Sequence, residues 1–422
     1  MSDPKDAGTT LPTGSPFAVA VMFFANGLVM ASSFSRIPGI RDQVGATPTQ
    51  LAFALVCVGI GSIVGMPFTG RLVDRYSSQT VSRVATALLL GGWAIVPLAG
   101  SVPVLAVMLL ITGLGTGVGD VAMNVQGHLV EQRHRQVLMP YWHGLFSFGA
   151  VAGALAGALA ASLGLSLAWQ LAGVSALLAV AMWSATARYL PDAGLHPDAQ
   201  PPTDEPIFDE PQVLATERGL VSAPRRSPIS RIEILLGMIV FATAVGEGAA
   251  NDWLALMLVD NRDAPAALGA LTYAGFNLTM AIGRFAGGAI IQRFGRVPVL
   301  RVAGGTASLG VALLCLIPST VTALIGAGAW GLGLSVVFPS AMSAAGEVPG
   351  RGGRAIAVVS TIGYGGFLLG APLIGFLAHM MPLDRALLAV AVLVLLVAIL
   401  ASVARERNSE PGSIPSPSER FP

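Results

Sequence analysis

GRLVDRYSSQTVSRV occupies residues 70–84, and GAIIQRFGRVPVLRV occupies residues 288–302, 218 positions later. Laid over one another, Gly70, Arg75, Arg83 and Val84 fall on Gly288, Arg293, Arg301 and Val302. The same offset carries Gly65 to Gly283, Gly113 to Gly331, Gly115 to Gly333 and Gly157 to Gly375. One constant offset that holds across several separate segments reads as duplication of a large unit, not as chance likeness of one loop.

The segments on either side of each copy are apolar runs of about 20 residues, the length needed to cross the hydrocarbon core of a bilayer. Twelve such runs are expected, near 17–35, 50–70, 82–100, 103–127, 141–163 and 167–188, then 233–258, 266–291, 298–317, 320–346, 355–379 and 384–404. Composition agrees: 54% of the 422 residues are hydrophobic and 11% are charged, with a mean hydropathy of +0.71. A soluble domain carries about 25% charged residues, so a large water-exposed enzyme is excluded. Cys57 and Cys315 lie within apolar runs and form neither a disulfide framework nor a metal-ligand pattern. Asp3, Lys5 and Asp6 precede the first run, which is therefore read as a retained span and not as a cleaved leader.

Between the sixth and seventh runs lies a stretch rich in Pro and acidic residues that buries too little apolar surface to order itself. The expected organisation is a cytoplasmic tail (1–16), a six-helix bundle (17–190), a disordered cytoplasmic linker (191–230), a second six-helix bundle (231–405) and a disordered cytoplasmic tail (406–422). Basic residues set the sidedness. With both termini inside, only Arg36, Arg41, Arg262 and Arg385 of the 24 basic residues fall outside, and Arg284 lies within a span.

The chain resembles the major facilitator superfamily over about residues 16 to 405. Gly70-Arg71-Leu72-Val73-Asp74-Arg75-Tyr76-Ser77 is similar to that family's loop motif between helices 2 and 3. The resemblance implies an all-α membrane protein of twelve helices, in two six-helix bundles related by a parallel repeat. It implies that Gly70, Asp74 and Arg75, with Arg293 in the second copy, help to brace the two halves. The usual second glycine of the motif is Ser77 here, and the acid of the second copy is Gln292. SSFSRIPGIRDQ, GDVAMNVQGHLVE, PYWHGLFSFGAVAG and GEGAANDW resemble a bacterial branch near the fucose-permease-like and sugar-transporter-like members. The resemblance also places spans 1, 4, 7 and 10 around a central cavity.

Polar residues inside the spans are the candidates for function. An ionisable group at that depth costs at least ~2.5–3.5 kcal/mol, so it normally faces a bundle interior or water. Asp120 and Asn124 are i, i+4 partners on one face of span 4, and Glu247 and Asn251 repeat the device in span 7. Glu247 and Asp120 are the candidates for proton coupling. Asn124, Asn251, Asn26 in span 1 and Asn277 in span 8 supply neutral hydrogen-bonding groups, which also serve helix–helix contacts. Arg36 and Asp252 are expected to pair across the outer opening, the alternative being Arg36 reaching for lipid headgroups. Trp253 is read as an interfacial aromatic, with stacking on a sugar ring as the other use. His143 is a pH-tuning or structural residue. Arg284 needs a partner, with Asp120 and Glu347 both in reach. Under the 218 offset Asp120 falls on Phe338 and Asn124 on Met342, and Pro339 predicts a bend in span 10.

No catalytic constellation, phosphate-binding loop or metal cluster is visible, so no enzymatic activity, cofactor or metal is expected. A formal net charge of +1 gives no support for nucleic-acid binding. The expected function is alternating-access transport of a small polar solute of the sugar or polyol kind, coupled to protons, by a monomer in the inner membrane. The alternatives are proton-driven efflux of a drug or metabolite and, from another class, a non-transporting membrane receptor or scaffold.

Overall fold

A computed structural model describes residues 15–136, 138–192, 229–349 and 352–406. The expected linker and both tails fall almost wholly outside the described residues. The helices are α1 (Pro16–Phe34), α2 (Ile37–Val44), α3 (Pro48–Tyr76), α4 (Ser78–Ile95), α5 (Val102–His134), α6 (Met139–Ser162), α7 (Leu167–Thr186), α8 (Arg231–Arg262), α9 (Ala266–Phe294), α10 (Arg296–Leu316), α11 (Thr320–Leu334), α12 (Val337–Gly346), α13 (Gly352–Met380) and α14 (Leu383–Leu400). Twelve spans of sufficient length and hydropathy result, α11 and α12 together forming the tenth, and α2 is a short connector.

Local sequence sets the ends. Thr47 and Gln50 form a reciprocal capping box at the start of α3, with Pro48 in the first helical position. Ser230 and Glu233 do the same for α8: the Ser230 amide donates to Glu233 Oε2 at 2.6 Å, and the Glu233 amide donates to Ser230 Oγ at 3.2 Å. The tenth span breaks at Ser335–Val336, four residues before Pro339. Proline has no amide proton, and its ring displaces the carbonyl four positions back, here that of Ser335.

Small residues let backbones meet. A β-carbon at Gly61 would overlap the Leu110 carbonyl oxygen, and one at Gly113 would overlap that of Val58, so α3 and α5 pack in direct backbone contact. Lipid gives no hydrophobic drive for helix association, so this close packing carries the cohesion.

The chain forms two compact units. The first takes the described residues of Met1–Thr203 with Asn251–Leu278 and Gly375–Met380; the second takes those of Asp204–Ala250, Thr279–Ile374 and Met381–Pro422. The partition therefore departs from the 17–190 and 231–405 bundles at the ends of α8, α9 and α13. Within the first unit the Arg41 guanidinium binds Asp260 on α8, and the Thr49 hydroxyl donates to the Gly375 carbonyl of α13 at 3.1 Å. These contacts hold those helix ends to α2 and α3.

Each unit fastens the start of its third span in the same way. The Ser78 amide donates to Asp192 Oδ2 at 2.8 Å, and the Arg296 amide donates to Glu406 Oε1 at 3.3 Å. Both acids lie just past the sixth span of their half, and a carboxylate at a helix N-terminus complements its dipole.

The repeat also exposes a local strain. Ser77 sits at φ 75 and ψ 152, and its equivalent Gly295 at φ 81 and ψ 154. Only glycine adopts this region without strain, and other residues lose about 1–3 kcal/mol there. Ser77 also caps the Thr80 amide at 3.3 Å, but glycine at a cap costs only a few tenths of a kcal/mol. Ser77→Gly is expected to stabilise the protein by about 1 kcal/mol and raise its unfolding temperature in detergent, while Gly295→Ser lowers it by a similar amount.

Candidate functional site

Among the described residues, the polar side chains of the spans fall into several small groups, each within one unit. In the second unit Glu247, near the middle of α8, meets Arg284 of α9, with Arg284 Nη2 donating to Glu247 Oε1 at 3.2 Å. The pair is not sealed: the two side chains keep 35% (Arg284) and 18% (Glu247) of their exposure. The ion pair of Arg284 is thus with Glu247, an acid other than the two, Asp120 and Glu347, that the sequence offered. The physical reason is proximity on adjacent antiparallel helices, where two costly charges offset one another.

Glu347 is committed elsewhere. Arg296, at the start of α10, donates from Nη1 to Glu347 Oε2 at 3.0 Å and from Nη2 to Glu347 Oε1 at 2.5 Å. Nη2 also donates to Ser343 Oγ at 3.1 Å and Nη1 to the Ala404 carbonyl at 3.3 Å. The guanidinium is thus buried but satisfied, and it ties α10 to α12 and to the turn after α14.

In the first unit the Asn124 side-chain amide donates to the Asp120 carbonyl at 2.8 Å and to Asp120 Oδ1 at 3.3 Å. Both residues are half-buried on one face of α5. Asn26 of α1 donates to the Met22 carbonyl at 2.9 Å and approaches Met123 Sδ at 3.7 Å. The ring of exposed His143 sits edge-on to Phe23, with centroids 4.9 Å apart. Asn251 accepts a hydrogen bond from the Tyr273 hydroxyl at 2.8 Å, and Asn277 donates to the Tyr273 carbonyl at 2.9 Å. Tyr273, which the sequence reading passed over, thereby links α8 to α9. Asp252 is half-buried. Trp253 is fully buried, its edge facing Gly375, and is no interfacial aromatic.

The connector between spans 1 and 2 differs from the expected Arg36–Asp252 pair. Arg36 donates from Nη1 to Gln170 Oε1 at 2.5 Å and from Nη2 to the Leu165 carbonyl at 3.1 Å. Gln170 in turn donates to Ser32 Oγ at 3.1 Å. The ion pair belongs to Arg41, which binds Asp42 at 2.6 Å and Asp260. Burial, with only neutral partners, lowers the pKa of Arg36. Burial would also lower that of Arg41, but bonds to Asp42 and Asp260 outweigh it and leave the pKa raised. Arg41 lies in the last turn of α2, which ends at the left-handed cap Gly45, φ 61.

The loop motif is exposed. Asp74 makes no ion pair among the described residues, and Arg75 lies over the Tyr76 ring, 5.2 Å from its centroid. Arg293 lies likewise over Phe294, at 5.3 Å. A β-carbon at Gly70 or at Gly288 would meet open space, so neither glycine is needed for packing here.

A model of the Major Facilitator Superfamily matches residues 19–364. The chain belongs to this superfamily. It is 31% identical over 382 residues to an uncharacterized MFS-type transporter of Yersinia pestis, covering 90% of this chain and 93% of that one. It is 27% identical over 401 residues to the membrane protein MosC of Rhizobium meliloti, covering 93% and 91%. Among solved structures, the nucleoside transporter NupG superposes with a TM-score of 0.71 at 13% identity, covering 92% of this chain and 98% of that one. The chain is thus a multi-pass membrane transporter of the secondary type, and its cargo is a small molecule.

Two measurements probe the ion pairs. Arg296→Met removes the hydrogen bonds of the guanidinium to Glu347, Ser343 and the Ala404 carbonyl and is expected to lower unfolding free energy by about 2 kcal/mol, seen as a lower unfolding temperature. For Arg41→Gln and Asp260→Asn, a double-mutant cycle on stability should return a coupling of about 1 kcal/mol that shrinks in high salt.

Proposed function

We propose that this superfamily member couples movement of a small, polar, hydrogen-bonding solute to protons, as a monomer in the bacterial inner membrane with both termini cytoplasmic. The observation that carries the reading is the Glu247–Arg284 pair, at mid-span and still accessible. A proton on Glu247 removes the charge that holds Arg284. A solute hydroxyl or carbonyl oxygen then takes the place of the carboxylate at the guanidinium. By linkage, proton and solute favour one another's binding by the same factor. Asp120, the other coupling candidate, and Asn124, Asn251, Asn277 and Asn26 carry the donor and acceptor chemistry that suits a sugar or polyol. Asp74 and Arg75 with Arg293 act at the loops that change partners as access alternates, and the Arg41–Asp260 pair opens and closes the opposite end. The likeness to NupG is one of fold and does not select nucleosides.

The test is uptake and release in proteoliposomes over a panel of sugars, polyols and nucleosides, with and without a pH gradient. For the solute that moves, Glu247→Gln should abolish stimulation by the gradient and reduce gradient-driven accumulation at least tenfold, while exchange of solute without net flux persists. Equal stimulation in wild type and variant would defeat the assignment. The direction of the effective gradient separates uptake from efflux.

A further inference from the structure

In the first unit, at the start of α4, five polar atoms are sealed from solvent with no hydrogen-bond partner among the described residues. They are Ser78 Oγ and Ser82 Oγ of α4, Gln126 Oε1 of α5, the Tyr189 hydroxyl and Asp192 Oδ1. Ser78, Ser82 and Gln126 are fully buried, and Tyr189 is nearly so. Neighbouring contacts draw the five together. Ser78 and Ser82 are four residues apart and share one face of α4. Asp192 Oδ2 accepts the Ser78 amide at 2.8 Å, which sets the other oxygen of that carboxylate beside the same helix turn. The Tyr189 hydroxyl is directed at Ser82 and lies within electrostatic reach of Asp192. Gln126 donates from Nε2 to the Leu190 carbonyl at 3.1 Å, which holds its side-chain amide between Tyr189 and Asp192 in the chain.

A buried polar atom without a partner carries its full desolvation cost, so five in one place point to a shared ligand. Gln126 Oε1 and the carboxylate oxygen can only accept. The ligand is therefore a donor or a cation, and the carboxylate repels an anion. Charge favours the cation. Asp192 makes no ion pair among the described residues. Arg83, next to Ser82 in the chain, is engaged by Thr186 Oγ1 at 3.0 Å and by the Trp183 ring. The repeat favours the same choice. Under the 218 offset Ser78 falls on Arg296, Ser82 on Leu300 and Gln126 on Ala344. The second half thus has a buried guanidinium fixed in its chain, bonded to Glu347, and apolar side chains at the other two positions. The first half keeps the oxygens and has no cation of its own at this place.

We propose that the five oxygens of Ser78, Ser82, Gln126, Tyr189 and Asp192 bind a monovalent alkali cation. Hydroxyl, phenol, amide and carboxylate oxygens are hard donors that suit such an ion. One carboxylate balances a single positive charge and leaves a divalent ion uncompensated. The bound ion fastens α4 and α5 to the chain that follows α7, the part that Arg296 plays in the second half. It is separate from the proton coupling proposed at Glu247.

The experiment is thermal unfolding of the full chain in detergent, titrated with sodium, potassium or N-methylglucamine chloride at fixed ionic strength. Sodium or potassium should raise the unfolding temperature along a saturable curve, and the bulky N-methylglucamine should not. Ser82→Ala and Tyr189→Phe each remove one oxygen and should shift the midpoint about threefold, and Asp192→Asn should shift it about tenfold or more. Each variant is read by its dependence on the ion, so a lower starting stability does not mask the result. Asp120→Asn and Glu247→Gln should keep the wild-type midpoint, which separates this site from an ion held by acids within the spans. As a direct measure, radioactive sodium, or rubidium in place of potassium, should bind to wild type and be lost from Asp192→Asn. The site is overturned if neither ion binds or stabilises, or if N-methylglucamine stabilises equally, since water alone then serves the five oxygens. It is also overturned if folded Asp192→Asn and Tyr189→Phe keep the wild-type midpoint, or if Asp120→Asn or Glu247→Gln abolishes the effect.

Discussion

Hydrocarbon offers no partner to a polar group, and that constraint orders this molecule. Each ionised or amide side chain placed in a span must find a mate within the protein or reach water. Glu247 finds Arg284, Asn124 turns back to Asp120, and Asn251 receives the Tyr273 hydroxyl. The same rule drives backbone packing. With water absent there is no apolar gain in pressing Leu against Leu, so glycine-rich faces such as those of α3 and α5 close by direct backbone contact instead.

Duplication gave two copies of a scaffold, and function followed from where the copies diverged. The caps on α4 and α10, the positive φ at Ser77 and Gly295 and the arginine-on-aromatic pairs survive in both halves. The charged positions do not. Asp120 has Phe338 as its counterpart, Ser78 has Arg296, and exposed Asp74 has Gln292. A backbone-level feature is hard to lose without unfolding, whereas a side chain is free to change, so the shared skeleton carries two different sets of charges.

Much of the fold was legible in the chain. Spans are long and uniformly apolar, so their number and approximate limits followed from hydropathy, and Pro339 marked the break in the tenth. Pairing of charges was less legible. Arg36 and Arg41 are five residues apart in one short connector, and depth alone favoured Arg36. In the folded chain Arg36 is taken up by Gln170 and the Leu165 carbonyl, and Arg41 meets α8. For Arg284 the sequence offered Asp120 and Glu347, and the packing of α8 against α9 supplies Glu247 instead. Trp253 misled because depth along a helix does not reveal which face is covered. Tyr273 gave a weak signal, a phenol one turn before Asn277.

The carboxylates of Asp192 and Glu406, just past the sixth span of each half, grip its third span. They differ by four positions under the repeat offset, one helical turn, yet do the same job. Each six-helix unit thus carries its own terminal clasp. In each half the third span is fastened by an acid that follows the sixth, a contact internal to that half of the sequence.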